Sequence, residues 1–129
     1  MSTDCAFCKP PPERIWLATE HALVFADSFP ISEGHTLVIA VRHVASVFDL
    51  SQEEQAAIWT LVGTVRAMVQ ERLHPDGFNI GINDGTAAGQ TIAHALIHVI
   101  PRRKGDVPDP RGGIRWVIRD KAPYWDQKP

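Results

Sequence analysis

The sequence predicts an α+β domain, an antiparallel sheet of about five short strands with one long helix. Three observations carry this. Short segments rich in β-branched or alternating apolar residues are separated by turn residues. One stretch alone has a sustained helical repeat, and a start signal precedes it. The connections between strand segments are mostly short, which favours antiparallel pairing. At 129 residues the chain reads as a single domain, 1–129, large enough for a real core.

Residues 1–13 read as an irregular N-terminal arm, closing on Lys9-Pro10-Pro11-Pro12. Residues 15–17 and 22–27 look like two short strands with a turn at Thr19-Glu20-His21. Phe29-Pro30-Ile31-Ser32-Glu33-Gly34 is loop, marked by its Pro and Gly. His35-Thr36-Leu37-Val38-Ile39-Ala40 is a β-branched strand. Ser51-Gln52-Glu53-Glu54 is a capping box, and Ile58, Leu61, Val62, Val65, Met68 and Val69 continue as one apolar stripe. Pro75 and Gly77 stop this helix. Trp59 lies off the stripe, so it is exposed or used in an interface. Phe78-Asn79-Ile80-Gly81-Ile82-Asn83 alternates, with Phe78, Ile80 and Ile82 toward the core. Residues 84–90 read as a loop with Gly85 and Gly89, the histidine strand follows directly and runs to Pro101, and residues 102–129 form an extended C-terminal tail.

A net charge of −2 gives no global pull toward nucleic acid or anionic membrane. There is no apolar run long enough to span a bilayer. Two cysteines and a start without a signal-peptide pattern predict a cytoplasmic protein. The cysteines form Cys5-Ala6-Phe7-Cys8, which fits half a zinc site, a redox pair or chance spacing. The prolines that follow do not offer the βαβ setting of a redox pair, whereas histidines could complete a zinc site.

The chemistry concentrates in Gly89-Gln90-Thr91-Ile92-Ala93-His94-Ala95-Leu96-Ile97-His98-Val99-Ile100-Pro101. As a strand, it places His94, Leu96, His98 and Ile100 on one face. The N–H groups around Gly89, Gln90 and Thr91 suit an anion nest, with Gln90 and Thr91 adding side-chain donors and Asn79 and Asn83 on the adjacent strand. Two imidazoles beside such donors suit a phosphate group; the plainer alternative is a pair of structural histidines. Arg102-Arg103-Lys104 reads as a solvated turn, or as a contact for distal phosphates. His21 and His74 read as structural.

These residues together resemble the histidine triad (HIT) superfamily of nucleotide hydrolases and transferases. The resemblance covers nearly the whole chain: Cys5-x-x-Cys8, Phe25-Ala26-Asp27, Gly34-His35-Thr36-Leu37-Val38-Ile39 with His43, Phe78 to Asn83 with Gly85, and the Gly89-Gln90 segment ending at Ile100-Pro101. The tail, Gly105-Asp106-Val107 through Asp109-Pro110-Arg111-Gly112-Gly113, is similar to a bacterial subgroup described as diadenosine polyphosphate hydrolase-like. The resemblance implies an AMP-like ligand in a pocket where Asp27 binds ribose and Asn83, Gly89, Gln90, Thr91 and His98 hold the α-phosphate. It implies a structural zinc on Cys5, Cys8, His43 and His94, a homodimer, and His35 as a support for the pocket.

It also implies a nucleophilic histidine at the middle of the triad, where this chain has Leu96. Leucine has no lone pair, so the sequence predicts very low or no hydrolase activity. Leucine and imidazole have similar volumes, so a pocket of the same shape can still bind nucleotide. The expected functions are a hydrolase or nucleotidyl-transferase scaffold disabled at Leu96, a natural nucleotide-binding sensor, or a zinc-stabilised interaction module.

Overall fold

A computed structural model describes residues 5–127. Among them five strands form one antiparallel sheet: β1 (Leu17–Ala18), β2 (Ala22–Ala26), β3 (Thr36–Ala40), β4 (Gly77–Gly81) and β5 (Leu96–Arg102), in the order β1-β2-β3-β5-β4. The helix α1 (Gln52–Leu73) joins β3 to β4. This is the predicted architecture.

The strands alternate faces, and each face has its own core. On one, Ile58, Leu61, Val62, Val65 and Val69 of α1 pack against Val24, Val38, Ile97 and Val99. Each such buried aliphatic side chain contributes about 1.5–3 kcal/mol. Met68 lies half-buried at the edge of this contact. On the other face Phe25, Leu37 and Ile39 form a smaller core, covered by Phe7, Trp16 and Leu96. The candidate site residues gather on this second face.

The capping box forms as expected: Ser51 Oγ accepts from Glu54 N–H, and Glu54 Oε1 accepts from Ser51 N–H. Glu54 also takes two bonds from Arg42, at 2.8 and 3.1 Å, which fastens the chain just before His43 to the start of the helix. That guanidinium holds the Glu54 carboxyl at about 2. The helix ends at Leu73, and its cap His74, the residue before Pro75, takes left-handed angles (φ 48°, ψ 50°). A residue before proline is disfavoured in the right-handed helical region, which explains the stop.

Four expectations need correction. The first strand is shorter than residues 15–17 suggest and begins at Leu17. β4 ends at Gly81, so Ile82 and Asn83 leave the ladder and reach the rim of the site. β5 begins at Leu96, and His94 sits in the bend before it. There Ala95 N–H bonds to Val44 rather than continuing the pairing register, which turns His94 into the interior. Finally, the tail is not extended. Gly112 and Gly113 adopt positive φ (92° and 45°) and turn it into two short 3-10 segments, Gly113–Val117 and Arg119–Lys121. Arg111 stacks over Trp125, Trp116 Nε1–H donates to the Arg111 carbonyl, and Ala122 becomes fully buried.

Candidate functional site

A cavity of about 370 Å³ opens on the second sheet face. β5 supplies its floor through Leu96 and His98, β3 through Leu37, and the end of β2 supplies Asp27 at the rim. Asn83 and the loop Gly89-Gln90-Thr91 form one wall. Thus Asp27, Asn83, Gly89, Gln90, Thr91, Leu96 and His98, separate in sequence, line one space.

The histidines of this face are tied into a directional chain. Ile31 N–H donates to His35 Nδ1 at 3.2 Å, so the neutral His35 carries its proton on Nε2. That Nε2–H donates to His98 Nδ1 at 3.0 Å. His98 in turn carries its proton on Nε2, as a donor for whatever the cavity holds. Asp27 Oδ2 lies 3.5 Å from His35 Nε2, a longer contact than the one to His98. Burial pushes both imidazoles below their ordinary value near 6.5, although the Asp27 carboxylate opposes the shift, so both are neutral at pH 7. Asp27 Oδ1 accepts from Phe29 N–H at 2.8 Å, which fixes the carboxylate at the rim.

The glycine loop is built differently from the expected nest. Gly89 ends a 3-10 turn (Thr86–Ala88) with φ 96°, a conformation that suits glycine. The Gly89 and Gln90 N–H groups donate to the carbonyls of Thr86 and Gly85. The Gln90 amide is also committed: Nε2 donates to Ala45 and Ile92 carbonyls, and Oε1 accepts from Gly85 N–H. Gln90 therefore staples the loop to the segment after β3. Of the nest N–H groups only that of Thr91 is without a partner among the described residues, and the Thr91 hydroxyl and the Asn83 amide are likewise unpartnered on lining residues of the cavity. Asn79 does not reach the site, because its Oδ1 accepts from Arg102 at 2.6 Å.

A second cluster lies beside the cavity. Cys5, Cys8, His43 and His94 bring their ligand atoms within 4.8 Å of one another. His94 is fully buried, and its Nε2–H donates to the Ala40 carbonyl at 2.7 Å. Its Nδ1 lone pair then faces Cys5 Sγ at 3.3 Å, Cys8 Sγ at 3.6 Å and His43 Nδ1 at 3.1 Å. The His94 Nδ1 lone pair, one His43 ring nitrogen and the two sulfurs thus converge on one point, as the ligands of a tetrahedral ion do. Tetrahedral zinc, with nitrogen bonds of about 2.0–2.1 Å, sets two nitrogens about 3.3 Å apart. The donor set fits zinc. The group Asp27, His35 and His98 also has ligand-type atoms in proximity, but a hydrogen bond already joins His35 to His98.

Sequence reasoning missed Ala6 and Phe7, which line the cavity from the turn between the two cysteines. An aromatic between paired ligand cysteines is the signal that could have found them. The basic run is neither free nor merely solvated: Arg102 makes a two-bond pair with Asp106, Arg103 donates to the Glu33 carbonyl, and the Lys104 N–H donates to Asp76.

Comparison with known proteins places this geometry. A family model, the HIT domain, matches residues 10–105. The bis(5'-adenosyl)-triphosphatase of Dictyostelium discoideum is 38% identical over 93 residues, covering 72% of this chain and 62% of that protein. The asymmetrical bis(5'-nucleosyl)-tetraphosphatase of Schizosaccharomyces pombe is 36% identical over 97 residues, covering 75% and 53%. A zinc-bound histidine triad family protein from Mycobacterium smegmatis superposes with a TM-score of 0.71 at 36% identity, covering 88% of this chain and 90% of that one. The chain spans 27% to 62% of the length of the first curated relatives it matches.

Proposed function

We propose that this chain, which belongs to the HIT domain family, binds a nucleoside monophosphate or dinucleoside polyphosphate but does not cleave it. The observation that carries this reading is the cavity that holds Asp27, Asn83, Thr91 and His98 around a leucine. Asp27 accepts from ribose hydroxyls. The Thr91 hydroxyl, the Asn83 amide and His98 Nε2–H donate to the α-phosphate, while Gly89 and Gln90 shape the wall. The two phosphatase relatives are named for dinucleoside polyphosphates, which supports that ligand class.

Cleavage by this kind of site forms a nitrogen–phosphorus bond and expels the leaving group from the α-phosphate. Leu96 has no electron pair to form that bond. The neighbouring imidazoles do not replace it: His98 spends its Nδ1 lone pair on His35 and is protonated at Nε2, and His94 is bound at Nε2 by Ala40 and turned toward the cysteines at Nδ1. The scaffold is thus of the hydrolase or nucleotidyl-transferase type, with its chemistry lost at one position.

Zinc on Cys5, Cys8, His43 and His94 is structural in this reading, a closed four-ligand site with no open position for substrate. We assign a homodimer as well. β4 is an edge strand, and Trp59 is 45% exposed on the outer side of α1; a second copy would cover both. No described helix is long and apolar enough to cross a membrane; a net charge of −2 gives no pull toward nucleic-acid or anionic membrane partners, and the two free cysteines suit a cytoplasmic protein. Calorimetric titration with AMP tests the reading. Micromolar binding that Asp27→Ala and His98→Ala each weaken supports it, whereas no binding leaves a zinc-stabilised interaction module.

A further inference from the structure

We propose that the metal cluster and the nucleotide cavity are thermodynamically linked through Phe7, so that filling one raises affinity for the other. The proposal rests on the nucleotide reading above. The link is built from the turn Cys5-Ala6-Phe7-Cys8, closed by Cys8 N–H donating to the Cys5 carbonyl at 3.2 Å. The two cysteines face His43 and His94, and the two residues between them face the cavity.

Little else holds this turn in place. Among the described residues, no backbone hydrogen bond ties residues 5–13 to the sheet; their backbone bonds are local. Pro10, Pro11 and Pro12 have no N–H to offer. The remaining attachments of the turn are the thiol contacts and the Phe7 ring, which packs at 5.9 Å from Phe25 and edge-on at 6.2 Å from His94. The opposite walls have their own supports: β3 and β5 are paired strands, and the glycine loop is stapled by Gln90. One wall of the cavity therefore depends on the metal cluster while the others do not.

His94 strengthens the coupling because it belongs to both places. It lines the cavity, contacts the Phe7 ring and presents Nδ1 to the cysteines. A metal that fixes His94 and both thiols fixes Phe7 over the apolar floor of Phe25 and Leu37. A nucleotide lying against Phe7 fixes the turn and so preassembles the ligands. Such coupling is reciprocal by necessity, and a factor of about 5–150 is usual for sites joined this way.

The experiment uses the full chain, zinc as the metal and AMP as the nucleotide. AMP affinity is measured by calorimetry on zinc-loaded and chelator-stripped protein, with circular dichroism checking that the stripped chain stays folded. Zinc affinity is measured separately by competition with a chelating dye, with and without saturating AMP. We expect AMP to bind at least fivefold more tightly to the loaded chain and zinc affinity to rise by the same factor with AMP. In Phe7→Ala the loaded chain keeps zinc, binds AMP more weakly, and shows a coupling factor near one. Equal AMP affinity with and without zinc overturns the linkage and leaves the nucleotide reading intact. Full coupling in Phe7→Ala overturns the role of the ring. If the loaded chain binds no AMP, both readings fall. Should stripping unfold the chain, loaded Phe7→Ala decides alone, and AMP affinity equal to the parent's overturns the proposal.

Discussion

His35 Nε2 lies 3.0 Å from His98 Nδ1, and this contact decides which nitrogen of His98 faces the cavity. The direction is set upstream, where the Ile31 amide donates to the far side of His35. Replacing His35 with alanine removes the bond that holds the His98 tautomer. We expect AMP affinity to fall about fivefold, the worth of one neutral hydrogen bond near 1 kcal/mol. Nitrogen chemical shifts of His98 check the cause: one tautomer protonated at Nε2 in the parent, a mixture in His35→Ala.

The same pair predicts a pH dependence. Burial lowers both imidazoles in the folded chain, below the value near 6.5 that they take when unfolded. Below that pH the unfolded chain binds more protons than the folded one, so acid favours unfolding. Their contribution to stability is present above about pH 6.5 and is lost as pH falls through the folded values. Urea unfolding of the parent and of His35→Asn/His98→Asn at pH 7.5 and 5.5 isolates the effect, since contributions common to both cancel. The parent should lose more stability on acidification than the double variant. An equal loss contradicts the assignment.

Metal removal gives a third expectation. Protein purified without chelator should carry one zinc per chain, and Cys8→Ala should carry none. Because the Cys5–Cys8 turn has few other attachments, the unfolding midpoint should drop by about 5 °C or more on stripping. Elemental analysis and a thermal melt check both.

Gly34 tests the loop that delivers His35. It sits at φ 89°, and a Cβ there would lie 2.6 Å from Leu73 Cδ1 and 3.2 Å from Pro101 Cγ. Gly34→Ala should therefore destabilise by about 1–3 kcal/mol, from strained backbone and crowding together. Urea denaturation reads this directly.

The parts of the fold written in local pattern were legible in the sequence. Ser51 and Glu54 announce the helix start, and the repeat from Ile58 to Val69 faces the sheet as its spacing requires. The alternation of Ile97, Val99 and Pro101 against Leu96, His98 and Ile100 holds along β5. Where long-range bonds compete with local pattern, the reading fails. His94 continues the alternation on paper, yet Val44 captures the amide of Ala95, so the strand starts only at Leu96. Gln90 looks like a free donor, but three carbonyl and amide partners, one of them 45 residues away, consume it. The tail has no periodicity to reveal its 3-10 turns. Their cause is the pair of left-handed glycines and the stacking of Arg111 on Trp125.

We propose that this pocket binds a nucleotide and lacks only the atom that attacks it. It is tested most directly by hydrolysis of diadenosine tetraphosphate and of an AMP amide, by the parent chain and by Leu96→His, with AMP affinity measured on both. We expect no detectable turnover by the parent, a gain of several orders of magnitude on restoring the imidazole, and similar AMP affinity in the two proteins. Turnover by the parent that matches Leu96→His would contradict it.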